Sequence, residues 1–270
     1  MAAIDPDALA QELMTAYASG RGVSTPPSAR DAAFDLPAAY AVEAALVRIR
    51  RSAGRTTVGR KVGFANRALW RILKLETVVW AHMYDDTVRY ARANDASLSL
   101  ARLRSPKIEP EIVFKLKKPL AGGADAAAAL EAVEWLALGF EIIDCPFPNW
   151  QFQPVDFVAS FGLHAALIVG EPRGFEPGVI DQLPVFKVKL MKNGELVDEG
   201  SGKNVLRSPL LCLGELAASI ARQPRAEPLA SGEIISTGTI TTSQPIAADE
   251  TWTATVDGLA VPDLTLRLTP

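Results

Sequence analysis

The segment Lys107-Ile-Glu-Pro-Glu-Ile-Val-Phe114 carries two carboxylates, Glu109 and Glu111, inside an apolar run that is typical of a core strand. Side chains at i and i+2 of a strand point to the same face, so both acids are predicted to point toward whatever that face encloses. Burying one unpaired carboxylate is costly, and two neighbouring carboxylates repel each other. A bound cation would remove this conflict. An edge strand with both acids in solvent is the alternative.

The length and composition of the chain are those of an ordinary globular protein. Its 270 residues are enough for a large core, and 49% of them are hydrophobic while 22% are charged. A net charge of −3, with both signs interspersed, gives no electrostatic footprint for nucleic acid or an acidic membrane surface. We therefore expect a small-molecule partner, with no nucleic acid and no membrane.

The two cysteines, Cys145 and Cys212, lack the spacing of a structural zinc site and are too few for a disulfide framework. A reducing compartment is the expected environment. The first residues are acidic and show no signal-peptide pattern, and no apolar run approaches the ~20 residues of a membrane span. The sequence therefore predicts a cytoplasmic protein.

The chain divides into a helical first part and a β-rich remainder. Apolar residues at helical spacing predict helices over residues 5–18 and 38–52, and β-branched residues predict a strand over 56–64. Residues 1–75 are predicted to form a helical region that packs on a β-rich, metal-binding core of residues 76–270. The two parts are expected to form one structural unit.

Glu141 is the acid that would complete a three-carboxylate site. Alanine-rich residues 126–137 predict a helix with Asp125 as its N-cap, and Phe140-Glu-Ile-Ile-Asp-Cys145 predicts a short strand directly after it. We interpret this helix as a crossover connection. Such a connection would make the strands that carry Glu111 and Glu141 neighbours in one sheet.

Four further polar residues have both a structural and a functional interpretation. Lys61 lies between two glycines in an apolar segment, where a packed stem with a solvated amine and a desolvated amine that serves a substrate are both open. His164 precedes a buried strand and is either a satisfied core histidine or a catalytic group. His82 is interpreted as a packing residue, and Asp86 taken alone as a turn former.

Four short motifs occur in an order that is typical of one enzyme family. They are Gly-Arg-Lys-Val-Gly (59–63), Glu-Pro-Glu-Ile (109–112), Gly-Phe-Glu-Ile-Ile-Asp (139–144) and Ser-Thr-Gly-Thr (236–239). Together they resemble the 2-hydroxypenta-2,4-dienoate hydratase and 4-oxalocrotonate decarboxylase group of the fumarylacetoacetate hydrolase superfamily, over nearly the whole chain. The resemblance implies an α+β fold with a fumarylacetoacetase C-terminal-like mixed β-roll or barrel core and a helical N-terminal region.

The same resemblance implies a metal site and its surroundings. Glu109, Glu111 and Glu141 match the three acids that hold Mg²⁺ or Mn²⁺ in this family, and hard oxygen ligands suit either cation. Lys61 matches the family's active-site lysine, and Asp86 matches an acid that follows an aromatic turn. The residues implied to contact substrate are Gly63, Phe64, Thr237 and Thr239.

The reaction implied by the resemblance is hydration of a small 2-hydroxy or 2-oxo unsaturated carboxylic acid in the degradation of aromatic compounds, by a homo-oligomeric lyase. Decarboxylation of a 2-oxo-diacid such as 4-oxalocrotonate is the alternative, because both reactions pass through the same enolate. A third hypothesis is a catalytically idle homologue that serves as a binding or structural subunit.

The chain departs from the family pattern near the implied site. Ser160-Phe-Gly-Leu163 replaces Asp-Asn-Ala-Ser, Cys145-Pro146 replaces Ser-Arg, Arg207-Ser-Pro209 replaces Gly-His-Pro, and Trp80-Ala81 replaces Phe-Gly. His164 directly follows the first altered block, and we expect that it has taken over a proton-transfer role. The metal ligands are retained while groups around them differ, so either the substrate or the proton-transfer apparatus has changed.

Overall fold

The structure, a computed structural model, describes residues 4–270. Its helices are α1 (Pro6–Ser19), α2 (Pro27–Arg30), α3 (Leu36–Ser52), α4 (Trp70–Leu73), α5 (Ala126–Ala132), α6 (Pro154–Ala159), α7 (Val179–Gln182) and α8 (Pro209–Ala221). Its strands are β1 (Thr57–Gly63), β2 (Val79–Tyr84), β3 (Val88–Tyr90), β4 (Asp95–Ser99), β5 (Pro106–Leu116), β6 (Val133–Asp144), β7 (His164–Val169), β8 (Lys187–Lys192), β9 (Glu195–Ser201), β10 (Ile234–Thr239), β11 (Gln244–Pro245), β12 (Thr251–Asp257) and β13 (Leu264–Thr269). Within residues 4–270, no helix has the length and apolar character of a membrane span.

The first two long helices are confirmed close to their predicted positions. The Asp5 side chain accepts the backbone N–H groups of Asp7 and Ala8 at the start of α1, and Asp35 accepts that of Ala38 at the start of α3. Their apolar faces supply fully buried residues such as Ala10 and Leu46. α1 packs on α3, and α3 packs on α6, so the helical region rests against the segment that leads into β7.

The larger sheet has the strand order β2-β1-β10-β5-β6-β7-β3, with β11 paired to β5. β2 and β3 lie at opposite ends of this order, yet only residues 85–87 join them along the chain. The sheet must therefore curl back on itself, which confirms the expected roll. β1 lies between β2 and β10, so strands from both sides of residue 75 form this one sheet.

The roll encloses a small apolar cluster on the face that also carries the acids. The cluster contains Met83, Val113, Ala137, Leu167, Val169 and Ile234. A second sheet, in the order β4-β13-β12-β8-β9, joins the main hydrophobic core through residues such as Trp252 and Leu266. Burial of apolar surface stabilises both sheets. The polar groups of the roll interior lie at one of its ends.

The connection between β5 and β6 differs from the predicted crossover. α5 ends at Ala132, the chain is extended from Val133 onwards, and β6 pairs with β5 in the antiparallel direction. The prediction that the two strands are neighbours is confirmed, but the crossover and the second half of the predicted helix are wrong. Val133 and Trp135 favour strands, and the long pairing with β5 outweighs the helix propensity of Leu136 and Ala137.

Candidate metal centre

Three carboxylates converge at one end of the roll. Glu109, Glu111 and Glu141 each offer an oxygen, and these oxygens all lie within 4.8 Å of one another. Glu109 pairs directly with Glu141 across β5 and β6, while Glu111 is two residues further along β5 on the same face. Glu111 and Glu141 are fully buried and Glu109 is half-buried, so the predicted solvent-facing alternative is excluded for the pair.

A bulge in β10 orients Glu111. The register between β10 and β5 shifts between Ser236 and Thr239. There, Ser236 Oγ donates to Glu111 Oε2 at 2.6 Å, and the Gly238 backbone N–H donates to the same oxygen at 2.7 Å. Gly238 has φ 101°, and a Cβ at this position would lie 2.7 Å from the Ala65 Cβ. Glycine is therefore required here, as expected for a ligand-facing bulge.

Glu141 is held by two cationic or polar neighbours. His164 Nδ1 lies 2.9 Å from Glu141 Oε1, and Lys61 Nζ lies 3.1 Å from Oε2. His164 Nε2 lies 2.9 Å from the hydroxyl of Thr87, so both ring nitrogens have a partner. The structure thus places His164 beside a candidate ligand, in contact with it and fully enclosed.

Lys61 is buried and faces the acids. Its ammonium group donates to the carbonyl oxygen of Gly162 at 2.9 Å and lies 4.8 Å from the ring centroid of Phe157. Burial alone would lower the pKa of Lys61, but the negative charges of Glu141, Glu109 and Glu111 outweigh it and raise that pKa. The structure therefore shows a desolvated amine and excludes the solvated one, while the action of Lys61 on a substrate stays a prediction.

A left-handed turn presents the Gly162 carbonyl to Lys61. Phe161, Gly162 and Leu163 have consecutive φ values of 55°, 60° and 57°. Two of these residues carry side chains that disfavour this conformation, at about 1–2 kcal/mol each. The ring of Phe161 packs on that of Tyr17 with centroids 4.9 Å apart, and such packing holds the turn in place. This turn is the segment that departs from the family pattern.

The electrostatics of the three acids are unequal. Burial raises the pKa of Glu109 to about 7, with Lys61 opposing and Glu141 adding to the rise. Burial, followed by the charges of Glu141 and Glu109, raises the pKa of Glu111 well above its usual value. For Glu141 burial acts in the same direction, but Lys61 and His164 outweigh it and lower the pKa. One acid is therefore stably ionised, and the other two need protons or a cation.

The residues present fit a divalent cation. Three ionised carboxylates and one ammonium leave two negative charges to compensate, and a dication would balance them. Among residues 4–270, Glu111 Oε1 is buried and accepts no hydrogen bond, and Glu141 Oε2 has only the ion-pair contact with Lys61. Buried oxygens of this kind are normally satisfied. An all-oxygen donor set is the kind that Mg²⁺, Mn²⁺ and Ca²⁺ prefer.

Asp86 lies near this centre but is engaged elsewhere. Its carboxylate is paired with Arg50 and lies 3.2 Å from Arg55 Nε, and in the described part of the chain Lys61 is not among its ion-pair partners. The next residue, Thr87, contacts His164. The structure therefore connects Asp86 to the acids only through neighbours, and its catalytic role stays a prediction.

Gly63 and Phe64 lie at the end of β1, close to Lys61. A Cβ on Gly63 would overlap the ring of Phe157, and the Phe64 and Phe157 rings pack with centroids 5.2 Å apart. Phe64 has φ 58°, an uncommon conformation for an aromatic residue. These residues wall the space around the Lys61 ammonium group. Their contact with substrate stays a prediction.

The two predicted threonines of β10 are occupied by backbone contacts. The Thr237 hydroxyl is buried and donates to the Ile112 carbonyl at 2.8 Å, whereas Thr239 pairs with Glu111 across the sheet and donates to the Thr241 carbonyl at 2.9 Å. A role for them in substrate binding stays a prediction. The sequence interpretation missed Ser236, whose hydroxyl contacts Glu111. Its position in the quoted motif was the available signal.

Two further contacts were not predicted, those of Gly162 with Lys61 and Thr87 with His164. Neither has a sequence signal, because one uses a backbone carbonyl and the other links residues 77 positions apart. His82 lies in register with Arg60, whereas Ala81 lies in register with Lys61, so His82 is on the face away from the acids. Its Nδ1 is 2.5 Å from the buried Glu43, which suits a packing residue.

Known proteins of similar sequence carry names from a single enzyme group. A 4-oxalocrotonate decarboxylase from Pseudomonas sp. (strain CF600) is 30% identical over 223 residues, which are 82% of this chain and 81% of that protein. The chain belongs to the 2-hydroxypentadienoate hydratase and 4-oxalocrotonate decarboxylase group of the fumarylacetoacetate hydrolase superfamily. These are metal-dependent lyases, and the resemblance stated from the motifs is confirmed. No family model matches the chain.

Other members of the group extend the similarity over the whole chain. A 2-keto-4-pentenoate hydratase from Dechloromonas aromatica (strain RCB) is 29% identical over 257 residues, 95% of each protein. The solved structure of 4-oxalocrotonate decarboxylase from Pseudomonas putida G7, complexed with magnesium and adipate, is 26% identical and covers 97% of both chains with a TM-score of 0.88. The predicted fold class is confirmed, and hydratases and decarboxylases are both similar to this chain.

Proposed function

We propose that this protein is a Mg²⁺- or Mn²⁺-dependent lyase that adds water to a small 2-hydroxy or 2-oxo unsaturated carboxylic acid, in the catabolism of aromatic compounds. One observation carries the proposal. Glu109, Glu111 and Glu141 converge within 4.8 Å, and among the described residues the buried Glu111 Oε1 has no hydrogen-bond donor while Glu141 Oε2 has only the ion pair with Lys61. Relatives named as hydratases of such acids support the substrate class.

The three glutamates would hold the cation, and Glu111 and Glu141 are preset for this by their fixed neighbours. Ser236 and Gly238 hold one oxygen of Glu111 and leave the other free. When bound, the cation supplies Lewis-acid polarisation of the substrate's carboxylate and adjacent oxygen. Preset ligands lose little freedom on binding, which favours both affinity and orientation.

Lys61 is the group that acts directly on substrate charge in this proposal. Its buried ammonium lies beside Glu141, in a space walled by Phe64 and Phe157 where water is largely excluded. A fixed cation in such a space stabilises negative charge that develops on the substrate as a proton moves. It also lies in reach to orient the substrate or relay that proton.

His164 and Asp86 complete the proposed catalytic set, the first in direct contact with a metal ligand and the second linked to it only through other residues. His164 contacts Glu141 directly, so it fixes that ligand and offers a site for proton movement. Asp86 is linked through Thr87 and held by Arg50 and Arg55. Hydration then places a hydroxyl on one carbon of the conjugated double bond and a proton on the other.

Decarboxylation of a 2-oxo-diacid is the second candidate reaction. It is favoured by the 30% identity to a 4-oxalocrotonate decarboxylase and by the TM-score of 0.88 to another. The same charge-stabilising groups would serve, because loss of CO₂ leaves an enolate like the one formed in hydration.

Product analysis on both substrate types tests the proposal. Metal-stripped protein is loaded with Mg²⁺ or Mn²⁺ and given a 2-hydroxydienoate or a 2-oxo-enedioate. We expect loss of the dienoate absorbance with formation of a hydroxylated product, and none of it without metal. Release of CO₂ from the diacid without dienoate hydration would replace the first candidate with the second.

Two variants make the test specific. Glu111→Gln removes one proposed ligand with little change in shape, and we expect it to abolish turnover and metal binding. Glu131→Gln removes an exposed acid that pairs with Lys118, and we expect wild-type behaviour. Metal binding without turnover of any unsaturated oxo-acid would favour the idle homologue, and absence of metal binding would exclude the proposal.

The assembly and location of the protein belong to the same proposal. We expect a homo-oligomer, which light scattering of the purified protein measures directly. We expect a cytoplasmic location. We also expect no interaction with nucleic acid or membranes, because the net charge is only −3. Fractionation of cells that express the protein tests the location.

A further inference from the structure

A cavity of about 550 Å³ lies outside the carboxylate cluster. It is bordered by Tyr17 of α1, Arg50 of α3, Arg89 of β3 and Ala165 of β7. Within residues 4–270, none of the three candidate metal ligands lines it, and neither does Lys61. Cavities of this volume are typical of small-molecule sites.

The walls of the cavity are strongly basic. Six arginines and two aspartates line it, which leaves four positive charges in excess; the arginines are Arg21, Arg50, Arg55, Arg89, Arg102 and Arg104. Both aspartates are already engaged. Asp86 is paired with Arg50 and Arg55, and Asp144 accepts the backbone N–H groups of residues 104 and 105 at 3.0 and 2.8 Å. The excess positive charge lies on exposed arginines and is available to an anion from solvent.

Four of the six arginines have no carboxylate within ion-pair distance among the described residues; they are Arg21, Arg89, Arg102 and Arg104. Guanidinium groups match oxyanions in geometry and bind them through paired N–H donors. Several unpaired guanidinium groups around one cavity therefore favour a ligand with more than one negative charge.

A buried hydroxyl in the same wall has no partner. Ser160 is 5% exposed and lines the cavity, and its buried Oγ has no hydrogen-bond partner among the described residues. Buried hydroxyl groups are normally satisfied, and leaving one unmade costs about 1–3 kcal/mol. In a basic cavity, this hydroxyl is suited to donate to a bound anion. It supplies an observation independent of the arginines.

We propose that this cavity is a second binding site, for a small dianionic oxyanion. The ligand chemistry is that of a phosphate or a short dicarboxylate, because both present two or more charged oxygens to guanidinium groups. Its anchors are the Ser160 hydroxyl and the unpaired arginines, of which Arg89 stands on β3 beside the strand of His164. The site adjoins the metal centre, because His164 and Asp86 line it, but anion binding there does not depend on the reaction proposed above.

The anion site is coupled to the metal centre through two contacts. Ser160 begins the turn in which the Gly162 carbonyl accepts from Lys61, and His164, which also lines the cavity, contacts Glu141. An anion that orders this wall also fixes the partners of Lys61 and Glu141. Because coupling between sites is reciprocal, anion and divalent cation should each change the affinity of the other by the same factor.

Calorimetric titration of metal-stripped, dialysed protein tests the anion site without any reaction. Inorganic phosphate and succinate are titrated separately in 100 mM NaCl, and we expect a Kd below about 1 mM for at least one of them. Ser160→Ala and Arg89→Ala should each weaken that binding by about fivefold or more, as loss of one charge-assisted hydrogen bond predicts. Binding of only one anion identifies the ligand type and supports the proposal.

Matched controls keep the test specific. Arg225→Ala removes an exposed arginine that does not line the cavity, and we expect less than about a twofold change in affinity. Without anion, Ser160→Ala should melt at no lower temperature than the wild type, since the wild-type hydroxyl has no partner. Added anion should raise the melting temperature of Ser160→Ala less than that of the wild type. The proposal is overturned if neither anion gives binding heat up to about 20 mM. It is also overturned if Arg225→Ala weakens anion binding as much as Ser160→Ala and Arg89→Ala do.

The coupling has its own measurement. Mg²⁺ is titrated into the wild type and Ser160→Ala with and without the anion that binds, and we expect a shift of Mg²⁺ affinity of at least about twofold in the wild type only. Equal Mg²⁺ affinity with and without anion overturns the coupling. If Mg²⁺ does not bind at all, the proposed lyase function fails while the anion result stands.

Discussion

Glu109 and Glu141 lie directly opposite each other across the antiparallel pair of β5 and β6. Like charges in this position destabilise a sheet, and Glu111 adds a third acid that is fully buried. The fold accepts this arrangement because Lys61 neutralises part of the charge. The remaining repulsion is stored in the metal-free protein, and metal binding should release it.

Replacing one acid by its amide should therefore separate stability from metal binding. We expect Glu111→Gln to raise the free energy of unfolding of metal-free protein at pH 7 by about 1–3 kcal/mol, because the wild-type side chain must take up a proton there to be buried. The same variant should bind Mg²⁺ more than about 100-fold more weakly. Denaturant unfolding and calorimetry measure the two effects.

The control for this pair of measurements is Glu131→Gln, which replaces an exposed acid that forms an ion pair with Lys118. It should change neither stability nor Mg²⁺ affinity measurably. A Glu111→Gln protein that binds Mg²⁺ like the wild type would show that the three glutamates do not form the metal site.

The metal-free protein should lose stability as pH rises from about 5 to 8. The pKa of Glu109 is raised to about 7 and that of Glu111 is raised well above its usual value, so the folded state binds protons that the unfolded state has released above about pH 4.5. The lowered pKa of Glu141 and the raised pKa of Lys61 act outside this window. The loss from Glu109 alone should be on the order of 3 kcal/mol.

Thermal melts at pH 5, 6, 7 and 8 check this, with and without saturating Mg²⁺. The metal-loaded protein should show a smaller fall, since the cation replaces the protons. A metal-free protein that becomes more stable between pH 5 and 8 would contradict the stored repulsion.

Gly238 should be irreplaceable for a reason beyond its backbone angle. Gly238→Ala must adopt φ near 101° and also place its Cβ 2.7 Å from that of Ala65, which would displace the N–H that orients Glu111. Gly232→Ala has a similar φ of 88° but open space around the new Cβ. Both should pay about 1–2 kcal/mol for the left-handed conformation, and only Gly238→Ala should also lose Mg²⁺ affinity. Equal Mg²⁺ affinity in the two variants would show that the bulge in β10 does not contribute to the metal site.

Much of the metal centre could be predicted from sequence because it depends on strand alternation. Glu109 and Glu111 share a face by their spacing alone, and Glu141 was predicted on a neighbouring strand, although through a crossover connection that the structure does not have. The route between the strands could not be predicted in this way. Local alanine and leucine content favours a helix up to residue 137, and only the pairing with β5 makes Val133 the start of a strand.

The groups that orient the acids were less accessible to sequence reasoning. A backbone bulge aims Gly238 at Glu111, and a left-handed turn aims Gly162 at Lys61. Side-chain identity predicts neither contact, because each is made by a main-chain atom of a glycine. The role of Thr87 depends on tertiary proximity to His164 over 77 residues. Sequence patterns of period two or 3.6 carry no information about such contacts.

His164 offers the sharpest separation between holding a ligand and transferring a proton. His164→Ala removes the partner of Glu141 Oε1 and should weaken Mg²⁺ binding by about 10-fold or more, as losses of ligand-orienting groups do. His164→Asn places an amide N–H near the position of Nδ1 and should keep Mg²⁺ affinity within about threefold of the wild type. If His164 only orients Glu141, turnover at saturating Mg²⁺ should survive in the asparagine variant. If it transfers a proton, both variants should lose turnover by about 100-fold or more while the asparagine variant still binds metal, since an amide cannot exchange a proton at neutral pH.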